Sequence, residues 1–81
     1  MDDGHKFDDN MVELYFINKM LVVGGVLVID DYEELPSVRA TASFIDRNLP
    51  YIRVPLSARF AAYVKLEPDE RAWNHYEPFR A

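Results

Sequence analysis

The chain has 81 residues, no cysteine, and a net charge of −5 from 14 acidic and 9 basic side chains. That length suits one small domain with a modest core, and no disulfide or thiolate zinc site can supplement it. Scattered basic residues on an acidic chain argue against a nucleic-acid partner, and no apolar run is long enough to span a bilayer.

With no leader-like segment at its start, the expected location is cytoplasmic. Hydrophobic residues make up 49% of the chain, which points to a folded domain and is high for so small a one. Some of that apolar surface is expected to meet a partner.

In chain order, Met1 to Phe7 has no periodicity and reads as a loop. Asp8 or Asp9 is placed to cap a helix running to about Met20, where acidic charge suits the positive end of the helix dipole. Met11, Val12, Leu14, Tyr15, Phe16 and Ile17 cover more than one stripe, which predicts burial of more than one face. Gly24-Gly25 supplies the left-handed turn expected to end this element.

Val26 to Ile29 is an unbroken aliphatic run, the pattern of a strand covered on both faces in a parallel sheet. Asp31 to Leu35 is a loop, and Pro36 suits the first turn of a second helix, where its missing N–H costs nothing. Val38, Ala42, Ile45 and Leu49 follow at helical spacing, with Asn48 and Pro50 stopping the helix.

Two stretches of period-two alternation then predict an antiparallel hairpin. Ile52, Val54 and Leu56 alternate with Tyr51, Arg53 and Pro55. After a turn at Ser57-Ala58, Phe60, Ala62, Val64 and Leu66 alternate with Arg59, Ala61, Tyr63 and Lys65. The segment 67–81 is polar but carries Trp73, Tyr76 and Phe79, which are expected to anchor it on the surface. The expected organisation is therefore an α/β domain over residues 1–66 and an aromatic tail over 67–81. Two helices would pack on a small mixed sheet of one parallel-type strand plus the hairpin, as in part of a doubly wound fold.

Several motifs carry a family likeness. An Asp-rich segment with a histidine (Asp2-Asp3-Gly4-His5) precedes the first helix. Gly24-Gly25 leads through four aliphatic residues to Asp30-Asp31, and Pro36-Ser37-Val38-Arg39 opens the second helix. Arg71, Trp73, His75, Pro78 and Phe79 follow in the tail. In this order and spacing the chain resembles the C-terminal half of a class I S-adenosylmethionine-dependent methyltransferase, over nearly its whole length. Ungapped, Asp2 takes the place of that family's Asp-Gly aspartate and His5 that of its histidine; a shift by one makes Asp3-Gly4 the Asp-Gly pair and loses the histidine.

The resemblance implies a partial Rossmann-like fold in which the last strand lies between the other two. It also implies a missing part. The glycine-rich loop that cradles S-adenosylmethionine has no counterpart here: Gly4, Gly24 and Gly25 are the only glycines, and they form no G-x-G. The chain alone is therefore expected neither to bind S-adenosylmethionine nor to transfer a methyl group.

Ligands of α/β sheets bind beyond the carboxyl ends of the strands, where Asp30 and Asp31 fall. Two adjacent carboxylates repel unless a cation or hydrogen-bond donors neutralise them, and oxygen ligands suit Mg²⁺, Mn²⁺ or Ca²⁺. By resemblance to metal-dependent O-methyltransferases, Asp2, Asp30 and Asp31 are the candidate ligands for Mg²⁺ or Mn²⁺. The ion would orient the hydroxyl of a small-molecule acceptor, and His5 would take its proton. The plainer alternative is that the two acids solvate a loop, with Asp31 accepting backbone amides ahead of Pro36. Likewise, His5 reads equally as a loop residue and His75 as a surface residue.

Two functions follow. One is the C-terminal portion or remnant of a methyltransferase. The other is a small interaction module that pairs with itself or complements a separately encoded cofactor-binding half.

Overall fold

A computed structural model describes residues 6–30, 35–57 and 59–79. The first helix, α1, spans Phe7–Met20, with Lys6 as an extended N-cap that makes no side-chain capping bond. Asp8 and Asp9 therefore do not cap it. They lie inside its first turn, where their charge still complements the dipole, with Lys19 in the last turn doing the same at the other end. Only one stripe is buried: Asn10, Leu14 and Asn18, with Met11, Ile17 and Leu21 packed partly against the core. Val12, Tyr15, Phe16 and Met20 remain exposed, so the expected burial of several faces does not occur.

The helix is already over at Met20 when the glycines arrive. The Gly25 N–H donates to the Val22 carbonyl at 2.8 Å, closing a turn. Gly24 sits in that turn at φ 86°, the left-handed position a type II turn demands. A Cβ on Gly25 would meet Leu21 Cδ1 at 2.5 Å, so the bare backbone is needed where the chain doubles back against α1.

Strand β1 is Val26–Asp30, helix α2 is Pro36–Asn48, and strands β2 and β3 are Tyr51–Pro55 and Phe60–Lys65. Helix α2 opens with Pro36 in its first turn and buries Val38, Thr41, Ala42, Ile45 and Asn48, one stripe at helical spacing. The strand order is β1-β3-β2, so the last strand does lie between the other two. Both pairings are antiparallel, with Val28 opposite Ala62 and Val54 opposite the same Ala62. The expectation of a mixed sheet is corrected on this point. Strands β1 and β2 run in the same direction, but β3 separates them, and among the described residues the sheet is antiparallel throughout.

Both helices cover a single face of the sheet, making two layers. The core gathers Leu14, Val38, Ala42, Ile45 and Leu49 against Leu27, Ile29, Tyr51, Ala61 and Tyr63. Tyr63 is fully buried, and its hydroxyl donates to the Ala42 carbonyl at 3.2 Å. Burial pushes the Tyr63 phenol well above the ordinary tyrosine range, with Asp46 adding to the effect, so it stays a donor at any pH the fold meets.

On the opposite face Val26, Val28, Ile52 and Val54 are each about half exposed. Among the described residues β1 is thus fully buried on one face and half exposed on the other, short of the double coverage expected of its unbroken aliphatic run. In the hairpin, the more apolar alternating set (Ile52 and Val54, with Ala62 and Val64 opposite) faces out. The set that includes Tyr51, Arg53 and Lys65 faces the helices.

Candidate functional site

Asp30 ends β1 at the carboxyl rim of the sheet, opposite Phe60. There Arg59 forks onto it: Nε donates to Oδ1 at 2.7 Å and a terminal nitrogen donates to Oδ2 at 3.2 Å. The Ser57 hydroxyl oxygen accepts the backbone N–H groups of Arg59 and Phe60 at 3.2 and 3.1 Å, fixing the turn that presents the guanidinium. The same guanidinium lies 5.2 Å from the Phe60 ring centre. Asp2, His5 and Asp31 lie outside the described residues, so of the four candidate site residues only Asp30 has a described position.

The chemistry at Asp30 fits a cation, and Arg59 supplies one. Both carboxylate oxygens accept from the fork, so a metal ion reaching Asp30 would have to displace Arg59. The residues described here therefore do not by themselves form a metal site, and among them no group of three or more His, Asp or Glu side chains converges. Arg59 could not be picked out from sequence, because its pairing depends on the β1–β3 register. With Arg59 60% and Asp30 20% exposed, the pair is worth at most about 1 kcal/mol. Arg59→Ala is thus expected to leave the denaturation midpoint nearly unchanged, while millimolar Mg²⁺ shifts the Asp30 backbone amide in NMR spectra more than in the parent chain. Equal shifts in both would show that Arg59 does not guard the carboxylate.

A second polar cluster sits at the other end of the sheet, roughly 17 Å along the strands. The Lys65 ammonium is buried and donates to the carbonyls of Asn18 (2.7 Å) and Leu21 (2.8 Å), two acceptors left over at the end of α1. The Tyr51 hydroxyl donates to Asn18 Oδ1 at 2.8 Å, and Asn18 Nδ2 donates to Asp69 Oδ2 at 2.7 Å. Asp69 in turn accepts from Arg71 at 2.7 and 2.8 Å. Hydrogen bonds from Arg71 hold the Asp69 carboxyl below its ordinary range; partial burial opposes this and Asn18 assists it. Burial, then the Asp69 charge, raises the Tyr51 phenol.

Because the folded Asp69 pKa is depressed, its contribution is present above the ordinary carboxylate value near about 4 and is lost as pH falls through the folded value. The Asn18 side-chain amide resonances are expected to hold steady from neutral pH down to about 5 and move below about 4. Asp69→Asn should abolish that movement; a titration surviving the substitution would assign it to another group.

The tail is fastened at separated points. Asn48 acts like a peptide group toward Glu77, donating to its carbonyl at 3.0 Å and accepting its N–H at 2.8 Å. Phe79 packs between Phe7 (6.1 Å between ring centres) and Phe44 (5.4 Å). Trp73, by contrast, is 96% exposed and anchors nothing among the described residues. An open groove of about 440 Å³ lies between the end of α2 and the start of the tail, lined by Arg47, Leu49, Pro50, Glu67 and Glu70 among others. Its charges are mixed, and no side chain nominated from sequence lies in it. Asn10 Nδ2 is the one buried side-chain donor without a hydrogen-bond partner among the described residues.

No family model matches the chain, and neither curated proteins nor solved structures yield a match. No helix among the described residues is long and apolar enough to cross a membrane.

Proposed function

We propose that this chain is the C-terminal portion of a class I S-adenosylmethionine-dependent methyltransferase-like protein that acts on an oxygen in the complete enzyme. By itself it neither holds the cofactor nor transfers a methyl group. One observation carries the reading: in the hairpin the more apolar alternating set points away from the helices, continuing the aliphatic outer side of β1. Val26, Val28, Ile52 and Val54 form an aliphatic floor that is about half exposed. A sheet built to end there would place polar residues on that side. A partial Rossmann-like sheet, whose other helices arrive from the cofactor-binding half, would not.

The strand order supports the same reading, since an antiparallel strand sits between two strands that share a direction and are joined through α2. In this reading Asp30 lies on the acceptor side, with Asp2, Asp31 and His5 completing the rim and Mg²⁺ or Mn²⁺ as the ion they would hold. The test is calorimetric titration of the chain with S-adenosylmethionine, together with the nucleotide sequence upstream of Met1. The expected result is no heat of binding, and an upstream frame encoding a glycine-rich strand-turn-helix. Micromolar affinity for the isolated chain, or an upstream region with no such frame, would overturn it.

The open floor also supports a second reading, an interaction module that complements a separately encoded cofactor half. Val28→Lys with Val54→Lys separates that reading from a simple remnant: it abolishes complementation in the first case and changes nothing in the second.

A further inference from the structure

Helix α1 carries a second apolar surface that neither the core nor the open sheet face uses. At 100° per residue, Val12 and Phe16 lie along the crest opposite the buried stripe of Asn10, Leu14 and Asn18. Asp8, Tyr15 and Lys19 line one flank of that crest, and Asp9 and Met20 the other. Val12, Tyr15, Phe16 and Met20 are between 56% and 74% exposed, although a surface helix ordinarily turns polar residues to water. They are not disordered against one another: Tyr15 and Phe16 meet edge to face at 5.4 Å, and the Lys19 ammonium sits 4.8 Å from the Tyr15 ring centre.

Charge is polarised along the same surface. Asp8 and Asp9 occupy the first turn and Lys19 the last. Laid parallel on a second copy, α1 would bring like charges together at both ends. Laid antiparallel about a two-fold axis, it brings each Lys19 to the partner's Asp8 and Asp9, sets Val12 against Phe16, and opposes the two helix dipoles. Asp8 and Lys19 share a flank, as this symmetry requires. We propose that the outer stripe of α1 is a two-fold interface, and that its occupant is the same stripe of a second copy of this chain.

The area fits a weak, reversible dimer. The four apolar side chains expose on the order of 400 Å² in total, the size of patch that marks an interaction site. With the flanking charges, the buried area falls short of the ~800 Å² per partner of a tight complex. The inference stands on α1 alone. It holds or fails independently of the methyltransferase reading, which rests on the opposite face of the sheet.

Sedimentation equilibrium of the full chain from micromolar to millimolar concentration tests it. A monomer–dimer equilibrium is expected, with a dissociation constant on the order of 10–100 μM that weakens as salt rises. Phe16→Glu is expected to leave only monomer, with its circular dichroism spectrum unchanged. Lys19→Glu should weaken association about tenfold, and adding Asp8→Lys and Asp9→Lys to it should restore the original constant. A chain that stays monomeric throughout overturns the proposal. So does a dimer that survives Phe16→Glu but is lost on Val28→Lys, which would put the contact on the sheet, and so does a charge-swapped triple variant that fails to recover.

Discussion

Tyr63→Ala is expected to remove a large share of the fold's stability and to lower its urea midpoint sharply. The ring is fully buried at the middle of the central strand, paired on one side with Leu27 and on the other with Arg53, under Ala42 of α2. Truncating a buried aromatic of this kind costs about 3–5 kcal/mol in lost transfer energy and residual cavity. A domain of this length has only about 4–12 kcal/mol of stability to lose, by the usual per-residue range. Urea denaturation followed by circular dichroism gives the difference directly. Tyr63→Phe provides the control, because it keeps the ring and removes only the hydroxyl with its bonds to Ala42, Asp46 and Arg53; its expected cost is about 1 kcal/mol. If the two variants lost equal stability, the hydroxyl rather than the packing would hold the strand to the helix.

Lys65→Met is expected to cost about 2–4 kcal/mol, a large effect for a lysine. The side chain is buried, and its ammonium satisfies two carbonyls at the end of α1 that have no other described acceptor role. Methionine keeps the volume and removes both bonds, so the carbonyls of Asn18 and Leu21 are left dry and unpaired, at about 1–3 kcal/mol each less what is recovered by not burying a charge. Amide hydrogen exchange adds a readout that global stability does not. Protection should fall first over the last turn of α1, and the fall should spread to Asn18 and through it to Asp69. Lys65→Gln, which can still donate one bond, should recover part of the loss. Exchange unchanged in α1 would mean the lysine is merely stowed there.

Much of the architecture was legible from residue patterns, for identifiable reasons. Pro36 with Val38, Ala42 and Ile45 sets α2 to within a residue of its start, because the missing proline N–H and the helical spacing point the same way. The hairpin followed from period-two alternation, which is a local property of the chain.

What alternation could not say is which set faces the helices. Tyr51, Tyr63 and Lys65 win that place because each has a hydrogen-bond partner inside, Asn18, Ala42 and the end of α1 respectively. Ile52 and Val54 do not displace them, despite being more apolar. The aliphatic run in β1 likewise reports an affinity for two covering layers, whereas coverage depends on elements elsewhere in space. Asp30 was legible as a rim carboxylate, but its partner Arg59 was not, since 29 residues and a sheet register separate them. The buried Asn18 and Asn48 gave no signal either. An asparagine on a helix looks the same from sequence whether it faces water or clasps a tail.

The middle position of β3 has a consequence for how the polypeptide acquires its shape. Strands β1 and β2 do not pair with each other, so neither can form the described sheet before β3 is present. Among the described residues, every ladder of the sheet runs through β3, so the sheet waits for that strand to enter the gap. A chain stopped between Pro55 and Phe60 would carry both helices, β1 and β2 but lack the strand that joins them.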